Sequence, residues 1–188
     1  EHRGYSLSLK MNYDRTKFIQ ERIKFMQSQD LLFKTENFVF SYRLAGILVK
    51  NGKVLLQRTL NDPGYAFPGG HATFPETNEE TLLREFKEEI EADIRVGDLK
   101  WVGEIFFPWQ GKPCQQICLY YQIELEDESQ IPLDDSFIAR ESFDGRIFDL
   151  EFSWIAIDEI DTILLYPPIA KQLLRDLDGG VQHFVYRE

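Results

Sequence analysis

The dipeptide Asn51-Gly52 restricts the fold of this chain more than any other short feature in it. It sits inside "ENFVFSYRLAGILVKNGKVLLQRTL", between two runs rich in β-branched, aromatic and leucine residues. Two adjacent residues that tolerate positive φ, flanked by such runs, specify a tight antiparallel hairpin. A second hairpin is read in "LKWVGEIFFPWQGKPCQQICLYYQIELED", with Gln110-Gly111-Lys112-Pro113 as its turn. After the acidic loop "EDESQIPLDD", the run "RIFDLEFSWIAI" is a further strand. The stretch "IDEIDTILLYPPIAKQLLRDLDGG" supplies a short helix, a proline break and a second helix ending at glycines, and "VQHFVYRE" adds a final strand or covers an edge. Hairpins interspersed with few helices predict an α+β fold, helices packed on a mixed sheet.

The length of 188 residues suits one such domain with an appended element. A content of 43% apolar and 14% aromatic residues argues against disorder. The formal net charge of -11 disfavours partners held through a broad basic surface, so neither duplex nucleic acid nor an anionic membrane is expected. No apolar run approaches the roughly 20 residues that span a bilayer, and "EHRGYSLSLK" lacks a signal-peptide apolar region, so a cytoplasmic location is expected. Whether residues 1–10 are native is left open. Cys114 and Cys118 fall on one strand face with no second Cys or His pair nearby, which reads as reduced thiols in preference to a zinc site. In "NYDRTKFIQERIKFMQ", Phe18, Ile19, Ile23 and Met26 share one side of an amphipathic helix. The expected division is an N-terminal extension over 1–34 and a catalytic-type domain over 35–188. The extension is expected to support dimerisation or to cover a pocket.

The segment "GGHATFPETNEETLLREFKEEIEAD" concentrates acidic residues in a chain that is already anionic. Thr77-Asn78-Glu79-Glu80 is a capping box, so a helix should start near Asn78. At about 100° per residue, Leu82, Leu83, Phe86 and Ile90 form an apolar stripe, and Glu85, Glu88 and Glu89 fall in an adjoining arc. Like charges at that spacing oppose the helix by about 0.2–0.5 kcal/mol per pair, which calls for a compensating cation. A solvated acidic face is the ordinary reading of such a cluster. Just upstream, however, Pro68-Gly69-Gly70 allows backbone carbonyls to approach a ligand. Oxygen donors without His or Cys suit a hard divalent ion, magnesium before calcium or manganese.

The same residues resemble the Nudix hydrolase box: Gly70, five residues, Glu76, seven residues, Arg84-Glu85, Phe86, Lys87, Glu88-Glu89, Ile90, then Glu91 and Ala92. Every fixed position agrees except Glu91, which stands where the family has Gly. The helix is therefore expected to run on past Ile90, or to end differently.

The resemblance implies a Nudix-like α/β/α sandwich. It also implies a Mg²⁺-dependent hydrolase, with Mn²⁺ as substitute, that cleaves a pyrophosphate bond in a nucleoside diphosphate linked to another moiety. A non-catalytic Nudix-fold regulator that binds a nucleotide is the alternative. By matching position, Glu85, Glu88, Glu89 and the Gly70 carbonyl would be metal ligands, and Glu76 and Arg84 would pair to brace the loop against the helix. Outside the box, Glu141 and Glu151 are candidate bases. Arg58, Tyr65, Phe67 and Trp109, with Phe107 and His71, are candidate substrate contacts. The implied partner is a small nucleotide derivative, and a homodimer is admitted.

Overall fold

The computed structural model describes residues 29–143 and 146–188. The amphipathic N-terminal helix lies outside the described residues. Strands β1 (Gln29–Asp30) and β2 (Leu32–Lys34) precede β3 (Val39–Lys50) and β4 (Lys53–Thr59). The β3–β4 turn is Asn51-Gly52, with φ of 50° and 75°, the positive values a two-residue hairpin requires. Short pieces β5 (Gly64–Tyr65) and β6 (Thr73–Phe74) lead to helix α1 (Asn78–Ile90). The second hairpin joins β7 (Ile94–Trp109) to β8 (Lys112–Leu125). Its turn is tighter than the four residues read from the sequence: Gln110 and Gly111 carry the positive φ, and Lys112 already pairs with Trp109.

Beyond the acidic loop come β9 (Phe137–Phe143) and β10 (Arg146–Ala156). The edge strand β9, "FIARESF", has three apolar residues followed by three polar ones, with no period-two alternation, and it has no counterpart in the strands expected from sequence. A 3₁₀ stretch (Ile157–Thr162), β11 (Leu164–Leu165), a single helical turn α2 (Ala170–Leu173) and β12 (Gln182–Arg187) complete the order. The second C-terminal helix is thus far shorter than expected. Asp176 and Asp178 stand where a longer helix would place its negative dipole end, which disfavours extension.

Across the main sheet the order is β12-β7-β8-β3-β4-β10-β9, with β2 also on β3. Most of β3 pairs not with its hairpin mate but in parallel with β8, from Val39↔Cys114 to Leu48↔Ile123. Only Val49 and Lys50 pair with β4. The two neighbours of β3 therefore diverge along its length, and a cleft opens between β8 and β4 beside its first half. β12 lies parallel to β7 as the far edge. Residues 29–34, assigned to the extension by sequence, pair here with β6 and β3.

Side chains of β3 alternate between two cores, as a strand covered on both faces must. Leu44 and Leu48 meet Leu82 and Phe86 of α1, whereas Ala45 and Ile47 meet Trp101, Tyr120 and the C-terminal Ile160 and Leu165. Helix on one side, mixed sheet between, and helical turns on the other form the layered α+β architecture.

Candidate functional site

Helix α1 begins at the capping box, where the Thr77 hydroxyl accepts from the Glu80 amide at 3.2 Å and the Glu80 carboxylate accepts from the Thr77 amide at 2.7 Å. Its buried face is centred on Phe86 and turns further toward the carboxylates than the apolar stripe implied. Leu82, Phe86 and Ile90 are inside, while Leu83 is exposed at 39%. The places next to Phe86 are taken by Glu85 and Glu89, exposed at only 9% and 7%, and Glu88 reaches toward solvent.

Arg84 organises these acids. Its Nε lies 2.9 Å from Glu76 Oε1, and its Nη1 donates to Glu85 Oε1 at 2.8 Å and to Glu88 Oε2 at 3.1 Å. Its Nη2 donates to the His71 carbonyl at 3.3 Å and to Thr73 Oγ1 at 3.2 Å. The Thr73 hydroxyl in turn donates to Asp30 Oδ1 at 3.1 Å. Burial weakens the guanidinium's basicity, but the bonds to Glu76 and Glu85 outweigh it and hold the pKa above its ordinary value. His71 is pushed down to about 4 by burial and by the nearby Arg43, so its imidazole is neutral at pH 7.

Gly70 packs directly against the Glu85 carboxylate, where a Cβ would overlap all three carboxyl atoms. Its carbonyl accepts from the Leu44 amide at 2.9 Å. These groups line one wall of a cavity of about 700 Å³, whose other walls include Arg43, Arg140 and Trp109. Among the described residues, no three acidic, His or Cys side chains already converge on one point. The donor set nevertheless fits a hard divalent ion: magnesium keeps several waters and is held by one or two carboxylates together with substrate phosphates, not by an all-protein cage.

The helix does not run past Ile90. Glu91 closes it in the left-handed region, φ 57° and ψ 19°, with its amide bonded to the Phe86 carbonyl. Ala92 is fully buried, which fixes the chain's exit direction and holds Glu91 in the conformation usually given to glycine.

The remaining candidates separate. Trp109 and Phe107 line the cavity, and the side chain of Lys34 sits 5.0 Å from the Trp109 ring. Arg58 does not line it: its Nε lies 2.6 Å from Glu151 on the neighbouring strand, and its guanidinium stacks 4.6 Å from the Tyr65 ring centroid. Glu151 is thereby committed to an ion pair. Tyr65 and Phe67 belong to the core, the latter also bordering a second cavity. The side chain of Glu141 lies outside the described residues. Arg43, Asp30 and Gln116 face the cavity and were not read from the sequence. Only Arg43 left a signal, a cation inside the apolar run of β3. Cys114 and Cys118 are buried free thiols.

The NUDIX domain family model matches residues 42–177. The chain belongs to the Nudix family. Membership places it among the Nudix-type pyrophosphohydrolases, which act on phosphoric anhydrides. Similar solved structures include a UDP-X diphosphatase, 18% identical, with a TM-score of 0.50 over 90% of this chain and 75% of that one. A MutT protein from Bacillus halodurans is 19% identical, with a TM-score of 0.51 over 78% and 90%. A Nudix hydrolase from Nitrosomonas europaea is 16% identical, with a TM-score of 0.52 over 82% and 81%. At these identities the likeness concerns the fold. No helix among the described residues is long and apolar enough to cross a membrane.

Proposed function

We propose that this Nudix chain is a Mg²⁺-dependent hydrolase, with Mn²⁺ able to substitute, that cleaves the pyrophosphate bond of a nucleoside diphosphate linked to another moiety. The observation that carries the reading is the row Glu85, Glu88 and Glu89 along one helix wall of a cavity of about 700 Å³, with Gly70 against Glu85. That volume lies in the range of small-molecule sites.

The carboxylates of Glu85, Glu88 and Glu89, with the Gly70 carbonyl, would hold the ion. When bound, it would neutralise phosphate charge and make an attacking water more acidic. The chain's own residues supply the rest. Glu76 fixes Arg84 Nε, and the His71 carbonyl and Thr73 fix Nη2, so Arg84 holds the box loop at a set distance from α1. Buried Glu89 and Glu85 keep a fixed direction, whereas exposed Glu88 can swing from Arg84 toward the cavity. Glu85, where it is not a ligand of the ion, would be the carboxylate that accepts a proton from the attacking water. Arg43, which bonds the Gly69 carbonyl, and Arg140, whose Nε pairs with Asp149, line the same cavity and would bring positive charge to the phosphoryl groups of the substrate.

The test is a screen of dinucleotide polyphosphates, nucleotide sugars, ADP-ribose and oxidised nucleoside triphosphates, each with Mg²⁺ and with chelator. Hydrolysis of at least one class that stops with chelator is expected. Ligand binding without turnover under every condition would replace the enzyme reading by a nucleotide-binding regulator.

A further inference from the structure

A second cavity of about 350 Å³ borders the first, and Arg43, Ala66, Phe107 and Gln116 line both. Past Arg43 its character changes. The walls become aromatic, with Phe67, Tyr120, Tyr166 and Tyr186, and the charged groups beyond Arg43 are the carboxylates Asp62 and Glu188. Tyr186 and Glu188 come from the C-terminal end of the chain, beyond the residues 42–177 that the family model matches.

Three features hold those two side chains at the cavity. Parallel pairing places Tyr186 opposite Ile105, and the Glu188 amide donates to the Phe106 carbonyl at 2.9 Å, so the ladder is fixed up to Glu188. Alternation along β12 then puts Phe184, Tyr186 and Glu188 on one face, and Phe184 is anchored in the core. Burial first, then the charge of Glu188 and the phenol of Tyr166, keep the Tyr186 hydroxyl above its ordinary pKa, so it stays a neutral donor and acceptor.

Anions are repelled at such an end and flat rings are favoured. We propose that this cavity takes the uncharged heterocycle of the substrate, a nucleobase presenting an exocyclic amine, and that Glu188 is the specificity-determining residue that accepts from it. The assignment rests on the first cavity being the pyrophosphate site. It places the phosphates on the arginine side of Arg43 and the base on the carboxylate side. An amine N–H donating to a carboxylate is charge-assisted, whereas a carbonyl in the same position would meet the carboxylate with like polarity. Gln116, whose Oε1 accepts from Ser41 at 3.3 Å, stands at the junction of the two cavities.

The experiment measures equilibrium binding of guanosine, adenosine, cytidine and uridine 5′-diphosphates, with ribose 5-phosphate and inorganic pyrophosphate as base-free probes, to the wild-type chain, Glu188→Gln and Tyr186→Phe. The wild type should bind the three amine-bearing nucleotides more tightly than uridine diphosphate and the base-free probes. Glu188→Gln should reduce that preference about tenfold, the size of one charge-assisted hydrogen bond, and leave pyrophosphate affinity unchanged. Tyr186→Phe should weaken all four nucleotides by a smaller and equal factor. An unaltered base ranking in Glu188→Gln overturns the proposal. So does a base-free probe that binds the wild type as tightly as the nucleotides, or an equal loss for pyrophosphate. Base discrimination in binding without hydrolysis of any related anhydride would instead sink the catalytic reading and leave this assignment standing.

Discussion

Arg84 Nη1 donates to Glu85 Oε1 over 2.8 Å, from the adjacent residue of the same helix, and the same nitrogen reaches Glu88 at 3.1 Å. An internal cation thus stands between two of the acids that would otherwise repel. Arg84→Ala should lower metal-free stability by about 1–3 kcal/mol, the cost of stranding half-buried carboxylates, discounted for their partial exposure. Mg²⁺ should restore part of the loss. Urea unfolding with and without the ion measures both, and an unchanged midpoint in either medium contradicts the account.

Replacing Glu88 or Glu89 by Gln keeps shape and removes one charge. Turnover should fall by orders of magnitude, while metal-free stability should stay within about 0.5 kcal/mol of wild type or rise slightly. Mg²⁺ should raise the melting temperature of each variant less than that of the wild type. A solvated acidic face would leave turnover and metal response alike untouched. Undiminished hydrolysis in both variants would end the assignment of these residues.

Gly70→Ala tests the close approach of loop and helix. The new methyl group would occupy the place of the Glu85 carboxylate, so that side chain must leave its position beside Arg84. Turnover should collapse although circular dichroism still reports a folded chain. Wild-type turnover in a folded variant would show that Glu85 need not stand where it does.

Glu91 carries a left-handed backbone at φ 57° that glycine adopts without strain. Glu91→Gly should therefore stabilise the protein by on the order of 1 kcal/mol and leave turnover within twofold. A tenfold gain in turnover would mean instead that the substitution away from glycine is a catalytic defect.

The capping box gives a pH dependence with a defined sign. Hydrogen bonds from the Thr77 backbone and then its side chain lower the Glu80 pKa in the folded state. A carboxylate whose folded pKa is depressed contributes stability that is full above its unfolded pKa of 4.5 and is lost as pH falls through the folded value. Glu80→Ala removes the titrating partner itself and should cost about 1 kcal/mol at pH 7 and progressively less below pH 4.5. A pH-independent penalty in a denaturant series would remove Glu80 from the explanation.

Local chemistry made the helix and its acids legible. Thr77, Glu80, Glu85, Glu88 and Glu89 act at separations of three to four residues, the range over which sequence spacing is geometry. Both hairpin turns were legible for the same reason. The Glu91 terminus was misread because the decisive constraint, burial of Ala92, is tertiary. The parallel pairing of β3 with β8 leaves no local mark, since a strand buried on both faces shows only an apolar run. Arg58 was drawn away by Glu151, a partner 93 positions distant in the chain. Asp30 and Glu188 reach their cavities from opposite chain ends through pairings that no periodicity announces.

The parallel ladder between β3 and β8 also has a kinetic side. Arg43 and Cys118 become neighbours only after the hairpin, the helix and all of β7 have been made and brought back across the sheet. Such long-range closure is slow, because the entropy of ordering the intervening chain is lost before the contacts form. The cleft therefore has no early precursor during synthesis. On the β12 side, Gly103 leaves room for the Phe184 ring, so that flank of the core stays open to water until β12 docks on β7. Amide protons bonded across the β3–β8 and β12–β7 ladders should accordingly gain protection later in pulse-labelled refolding than those shared within the β7–β8 hairpin.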